Sequence, residues 1–302
     1  MAIHVRLLGT AAGGGLPQWN CSCFNCRAAR NGEIPTRTQS SVAISADGES
    51  WFLVNASPDL RRQIESHHTL TPTTGSPRNS PISGILLTNA DLDHVLGLLL
   101  LREGEFLPVI ASKSVKDTLS HCMGFDAIMD SFCGIRWKEA PSDWAPLQLR
   151  DEAPSGLEMR AVYLPGNPPL YAKNIHSAGG HSIAFLIRDA IGATLLVAPD
   201  VAAMTPELEL AMQISDAVLF DGTFWSEDEL HSVNGRRRYA SEMGHVPIRD
   251  ASLEVLKHLG ATRKIFIHIN NTNPILPKDS VERSIVEDAG ITIGEDAMEF
   301  TL

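Results

Sequence analysis

Residues 88–98 read TNADLDHVLGL, and the apolar run ISGILLT (82–88) leads directly into them. A short run of that kind, rich in Ile and Leu, reads as a buried strand, and VLGLLLLRE (95–103) presents the apolar face of a helix. Where a strand end turns into a helix, alternating side chains gather on one side of the turn. Asn89, Asp91, Asp93 and His94 are therefore placed to converge. Carboxylates and an imidazole at this spacing are what a divalent cation requires. The other role open to Asp91 and Asp93 is to cap the helix.

Two later stretches repeat the pattern. LLVAPD places Asp200 just past one strand, and IFIHINNTNP places His268 near the end of another. Polar groups that follow four or more apolar residues mark the strand ends where α/β sheets assemble their sites. Further strands are expected at IHVRLLG (3–9), SVAISA (41–46), SWFLVNA (50–56), HSIAFLI (181–187), ATLLVAP (193–199), DAVLFDG (216–222) and RKIFIHI (263–269). Helices are expected at SPDLRRQIES (57–66), TPELELAMQI (205–214) and PIRDASLEVLKHLG (247–260). The second opens on Thr then Pro, and the third ends on Gly260 at the position after the cap. Alternating strands and helices make a layered α/β domain, expected to span 1–302 as one unit. Residues 138–170, rich in proline and glycine, read as an irregular crossover. HHTLTPTTGSPRNSP (67–81) reads as a mobile polar loop in which His67 and His68 have no assigned role.

The 302 residues carry 36 acidic and 25 basic side chains, a net charge of −11 that argues against a nucleic-acid or anionic-membrane partner. No apolar run approaches the ~20 residues of a spanning helix, and the glycine-broken amino terminus is no signal peptide. A soluble, cytoplasmic protein is expected. Arg236, Arg237 and Arg238 form a basic run, ordinarily a solvated loop, that near a site would attract a carboxylate-rich substrate.

Cys21, Cys23 and Cys26 cluster within six positions of GTAAGGGLPQWNCSCFNC (9–26), a spacing that in a reducing compartment reads as a metal site. A redox pair lacks its thioredoxin-type context. Cys122 and Cys133 read as core or half-buried thiols. The glycines are not a phosphate loop, because Leu16-Pro17 stands where Lys and Ser or Thr are needed. They let the backbone pass close to a metal floor or to a ligand.

T-x-x-D-x-D-H-x-x-G-L, the Asp after LLVAP and the His after KIFI together resemble the metallo-β-lactamase superfamily, in matching order along most of the chain. That resemblance implies an αββα sandwich, two β-sheets flanked by helices, with metal ligands at Asp93, His94, Asp200 and His268. It departs from the superfamily's H-x-H-x-D-H motif, since Asn89 and Asp91 occupy the two leading histidine positions. His181 or His176 would supply the third-motif histidine. With the leading histidines gone, the resemblance implies one oxygen-rich metal centre rather than two zincs, a set that suits Fe(II), with zinc as the alternative.

Within the superfamily, LLGTAAGGGLPQWNCSCFNC (7–26), TNADLDHVLGL, FDGTFW (220–225), MGHVPI (243–248) and INNTNP (269–274) resemble the PQQ synthesis B family. This implies a role in PQQ biosynthesis as an iron-dependent oxygenase, with O2 hydroxylating the tyrosine ring of a peptide-derived Glu–Tyr precursor. Asp91 would tune the metal or assist proton transfer, and His245 would act as general acid or base. Asp221 would stand beside the metal rather than on it. Cys21, Cys23 and Cys26 would hold a structural zinc, with Asn271 or His245 as fourth ligand. Other proteins of PQQ biosynthesis and a second copy of the chain are the implied partners. A zinc hydrolase, and a carrier that binds PQQ or its precursor and assists its transport to the periplasm, are the alternative functions.

Overall fold

The computed structural model describes residues 2–73, 75, 78–172, 179–234 and 238–302. His176, Arg236 and Arg237 lie outside the described residues, as do Thr74, Ser76 and Pro77 of the 67–81 stretch.

Two seven-stranded mixed sheets face each other. The first contains β1 (His4–Gly9), β2 (Ser41–Ser45), β3 (Trp51–Val54), β4 (Ile82–Leu86), β5 (Leu107–Ala111) and β6 (Ile135–Glu139). The second contains β7 (Ala145–Gln148), β8 (Pro154–Leu164), β9 (Ser182–Asp189), β10 (Thr194–Ala198), β11 (Ala217–Asp221), β12 (Arg263–Ile267) and β13 (Thr292–Ile293). The last strand, β14 (Glu299–Thr301), returns to pair with β1 and completes the first sheet. β3 to β6 run parallel to their neighbours, as do β10 to β13, and the remaining pairs are antiparallel.

The apolar runs are continuous rather than alternating because both faces of each sheet are covered. In β9, Ile183, Phe185 and Ile187 enter the core between the sheets, while Ala184 and Leu186 turn outward to a helical layer. Val42 and Ile44 of β2 likewise join the inter-sheet core, and Ala43 the outer one. Three apolar layers result, which makes this the expected αββα sandwich.

The helices are α1 (Phe24–Arg30), α2 (Leu60–Glu65), α3 (Leu92–Val95), α4 (Lys113–Cys122), α5 (Phe125–Asp130), α6 (Pro206–Gln213), α7 (Glu229–Asn234), α8 (Leu253–His258) and α9 (Val281–Asp288). Thr205 caps α6 by accepting the Leu208 N–H, as its Thr-Pro start predicts. Gly260 follows the cap of α8 but is not left-handed, and a π-helical turn, Ile248–Ser252, precedes that helix.

Three expectations change. Residues 138–170 are not an irregular crossover, because β8 is the longest strand of the molecule. Its outer positions are half exposed and Pro154 and Gly156 begin it, so no apolar run signals it. The 95–103 helix is a 3-10 turn, Leu96–Leu101, after the short α3. The Gly97 N–H donates to Ala56 O (2.9 Å), and a β-carbon there would meet Ser57 O at 2.3 Å. The chain is pulled onto a neighbouring loop and loses its α-helical bonding. Finally, His67 is buried with Nδ1 on Gln63 O, and Cys122 is exposed at the end of α4 while Cys133 is half buried.

Candidate metal centre

The site lies where β4, β10, β11 and β12 end. After β4, Asn89 Oδ1 accepts the Asp91 N–H (3.0 Å) and Asp91 O accepts the His94 N–H (2.9 Å). This local turn starts α3 and sets Asp93 and His94 on its first turn. The amide oxygen of Asn89 is thereby committed to its own chain. His94 is fully buried, and its carbonyl accepts the Ala56 N–H at 2.7 Å. Its Nδ1 lies 3.1 Å from Asn55 Nδ2 and 3.3 Å from Thr88 Oγ1.

His268 follows β12 in the left-handed region at φ 55°, which few non-glycine residues adopt. The strained backbone turns its ring inward, a conformation held only where surrounding contacts over-determine it. Those contacts are visible. The Thr223 hydroxyl donates to Asp221 Oδ1 (2.6 Å), leaving its lone pairs to accept the His268 Nδ1–H (2.8 Å). His245 donates its Nδ1–H to the other oxygen of Asp221 (2.7 Å). Asp221 therefore fixes both imidazoles in the tautomer that presents a lone pair at Nε2, the usual way outer carboxylates orient metal-binding histidines. His245 stacks on His268 with centroids 5.4 Å apart, and His94 meets His268 edge-on at 5.1 Å.

Around these rings the ligand atoms converge in two trios that share His268. Asp93, His94 and His268 form one, and Asp200, His245 and His268 the other, each with its ligand atoms within 4.8 Å of one another. Asp93 Oδ2 lies 3.2 Å from His268 Nε2 and 3.9 Å from His94 Nε2. Asp200 Oδ1 lies 3.7 Å from His268 Nε2 and 3.8 Å from His245 Nε2. Neighbouring ligands around one ion at ~2.1 Å stand ~3.0–3.4 Å apart, so small shifts would close either trio. His94 Nε2 is buried with no hydrogen-bond partner, and Asp200 Oδ2, also without a hydrogen bond, lies 3.4 Å from His94 Nδ1. A buried imidazole nitrogen left without a partner among carboxylates fits a divalent cation and would be costly otherwise.

The electrostatics agree. Burial works against the His268 imidazolium, but Asp200, Asp93 and Asp221 outweigh it and push its pKa up to about 10. His245 shifts upward too, against burial, because of Asp221 and Asp200. Burial would raise Asp93 and Asp221, yet His94 and His268 hold Asp93 below the usual carboxylate range, and His245 does the same for Asp221. Asp91 is open to water on its outer side but otherwise surrounded by protein. Desolvation and the charges of Asp200 and Asp93 raise it to about 6. It stands at the mouth, outside both trios. His181 is buried at the head of β9, where burial lowers its pKa, and joins neither trio.

The three thiols converge as a second cluster, and the structure separates the two candidates for its apex. Asn271 Nδ2 lies 3.2 Å from Cys21 Sγ, 3.5 Å from Cys23 Sγ and 3.2 Å from Cys26 Sγ. His245, committed to Asp221 and Asp200, is not the fourth partner. Asn25 donates to the carbonyls of Asn271 (3.0 Å) and Asn273 (2.9 Å), tying α1 to the loop after β12. Burial pushes the Cys26 thiol up to about 11. Three sulfurs plus an amide that offers its oxygen after a half-turn suit a closed structural zinc site.

Sequence reading picked out residues that converge here but not what orients them. Thr223 and Asn55 carry no spacing signal, since each acts on a residue distant in the chain. Tyr171, whose hydroxyl donates to Ala90 O beside Asp91, was missed for the same reason.

A family model described as a beta-lactamase superfamily domain matches residues 50–269. The coenzyme PQQ synthesis protein B of Cupriavidus necator is 39% identical over 305 residues, covering 99% of each chain. This chain belongs to the PQQ synthesis protein B family. Its counterpart in Gluconobacter oxydans is 41% identical, again over 99% of each chain. A crystal structure of Zn2+-bound PqqB from Methylobacterium extorquens superposes with a TM-score of 0.89 at 36% identity, covering 99% of this chain and 100% of that one. Among the described residues, no helix is long and apolar enough to cross a membrane.

Proposed function

We propose that this chain acts in PQQ biosynthesis as a mononuclear, Fe(II)-dependent oxygenase that hydroxylates the tyrosine ring of a peptide-derived Glu–Tyr precursor. The observation that supports this reading is the cluster around His268, with Asp93 and His94 on one side and Asp200 and His245 on the other, in which one imidazole is common to both trios. Two imidazoles and a carboxylate on one face of an ion are the donor set of non-haem iron oxygenases. A paired-zinc hydrolase is less well supported, since Asn89 is tied to its own backbone and Asp91 lies outside both trios.

Asp93, His94 and His268 would hold the iron, with Asp200 completing the set. Bound Fe(II) supplies the one-electron steps that allow O2 to react with a closed-shell ring. The protein's contribution is placement. Asp221 and Thr223 hold His268 and His245 in register, and Asp91 at the mouth takes the ring proton as a C–H bond becomes C–OH. One oxygen atom enters the ring, and the other leaves as water with two electrons from an external reductant of the ascorbate class.

The test is anaerobically iron-loaded protein given Glu–Tyr dipeptide, ascorbate and 18O2. Product carrying one 18O on the ring is expected, and the absence of any oxygen-dependent product refutes the reading. His94→Ala should abolish turnover. A variant that loses its metal yet binds the precursor as tightly as before would favour a carrier instead.

A further inference from the structure

The thiol cluster and the centre at His268 are served by one stretch of chain. Asn271, which faces the three sulfurs, stands three residues after His268. On the other side, Asn25 lies between Cys23 and Cys26 at the start of α1, and its side chain donates to the carbonyls of Asn271 and Asn273. The Asn273 side chain passes the connection on, donating to Gly222 O (2.9 Å) and Thr223 O (3.2 Å). Thr223 is the residue whose hydroxyl accepts the His268 Nδ1–H. A chain of hydrogen bonds therefore runs from the cysteine-bearing helix to the ring that both trios share. Asn25, Asn271, Asn273, Thr223 and His268 are all buried.

Two features make this chain of bonds responsive to an ion at the sulfurs. α1 is seven residues long and its cap residue, Cys23, makes no side-chain cap bond, so the helix takes its position from what it touches. An ion drawing Cys21, Cys23 and Cys26 together would fix Asn25 between two of its ligands. The Asn271 amide also has two settings, its nitrogen toward the sulfurs or, a half-turn on, its oxygen toward an ion. Hydrogen-bond networks with discrete arrangements of this kind carry free energy between sites. Burial matters here, because a donor that shifts leaves its acceptor with no water to replace it. The strained backbone of His268, at φ 55°, depends on such contacts.

We propose that the two sites are coupled, with Asn25 and Asn273 as positioning residues: an ion held by the three cysteines sets α1, and through it the Thr223 turn, so that the centre at His268 binds its own ion more tightly. By linkage the effect is reciprocal. The inference rests on the metal centre argued above but not on its oxygen chemistry, and its test reads metal affinity alone.

The experiment uses the full chain freed of metal, with and without one equivalent of Cd2+, a soft ion that thiolates select and whose sulfur-to-metal absorption reports its place. Mn2+, which suits carboxylate ligands, then titrates the His268 centre and is followed by its electron paramagnetic resonance signal. Cd2+ should tighten Mn2+ binding about fivefold or more, the lower end of ordinary coupling between sites. Asn25→Ala should still take up Cd2+ but bring that ratio to within about twofold of unity. A variant that is merely less stable weakens Mn2+ binding with and without Cd2+ alike and leaves the ratio unchanged, so a full ratio in Asn25→Ala overturns the proposal. Equal Mn2+ affinities with and without Cd2+ in the unmodified protein also overturn it, while leaving the metal centre standing. No Cd2+–sulfur absorption, or no Mn2+ binding in either form, removes one of the two sites and the proposal with it. If Asn25→Ala does not fold, Thr223→Val decides, since it keeps the thiol side whole and cuts the last hydrogen bond to His268: an undiminished ratio there refutes the idea.

Discussion

Replacing Asp221 by Asn tests the claim that one buried carboxylate sets the metal-binding tautomers. Asp221 is fully buried and accepts four hydrogen bonds. Oδ1 takes the Thr223 N–H (2.9 Å) and hydroxyl (2.6 Å), and Oδ2 takes the Val201 N–H (2.9 Å) and the His245 Nδ1–H (2.7 Å). All four partners donate, so the amide group of Asn must set its own N–H against donors whichever way it turns. Breaking a buried charge-assisted pair in this way costs about 3–5 kcal/mol of stability. The metal effect is separate. His245 is pushed toward carrying its proton on Nε2, and His268 loses the firm acceptor behind Thr223. Loss of an outer carboxylate of this kind lowers metal affinity about 10–100-fold, or about 1.4–2.7 kcal/mol. The assay is Co2+ titration of metal-free protein in competition with a chelator at constant pH, alongside urea unfolding with chelator present. Thr223→Val should show a smaller loss of the same kind, because it removes only the relay to His268. Metal affinity within twofold of the parent, with the stability loss present, would make Asp221 purely structural and refute the reasoning. Unchanged stability would refute the hydrogen-bond account itself.

Two further outcomes are expected. Burial raises the Glu229 carboxyl to about 7, although Thr272 and the Trp225 N–H bond to it. Between the unfolded value near 4.5 and about 7 the folded chain keeps a proton that the unfolded chain has released, so rising pH favours unfolding. Glu229→Gln should cancel a loss of about 3 kcal/mol between pH 4.5 and 8, read from urea midpoints with chelator present, and a parallel pH dependence in both proteins would refute this. At the thiol cluster, Asn271→His should tighten zinc binding about tenfold or more, since imidazole is a better zinc donor than an amide oxygen, and equal affinities in a chelator competition would show that Asn271 is not a ligand.

The eight expected strands were legible because a strand covered on both faces must be apolar at nearly every position, a property written locally in the chain. The candidate ligands Asp93, His94, Asp200 and His268 were legible for a related reason, since each follows an apolar run at a strand end. The edge strands β6 and β7 and the first part of β8 were not, because half-exposed residues leave no such run. Nor did any local pattern show that His245 joins His268 rather than the thiols, or that Asn271 caps the sulfurs. The sequence by itself determined which residues had the chemistry to bind a metal and on which strand ends they stood. Only the tertiary structure decided their partners, because distances of 2.7 Å between His245 and Asp221 or 3.2 Å between His268 and Asp93 join elements far apart in the chain. Packing of the two sheets sets such separations, and no periodicity along the chain encodes them.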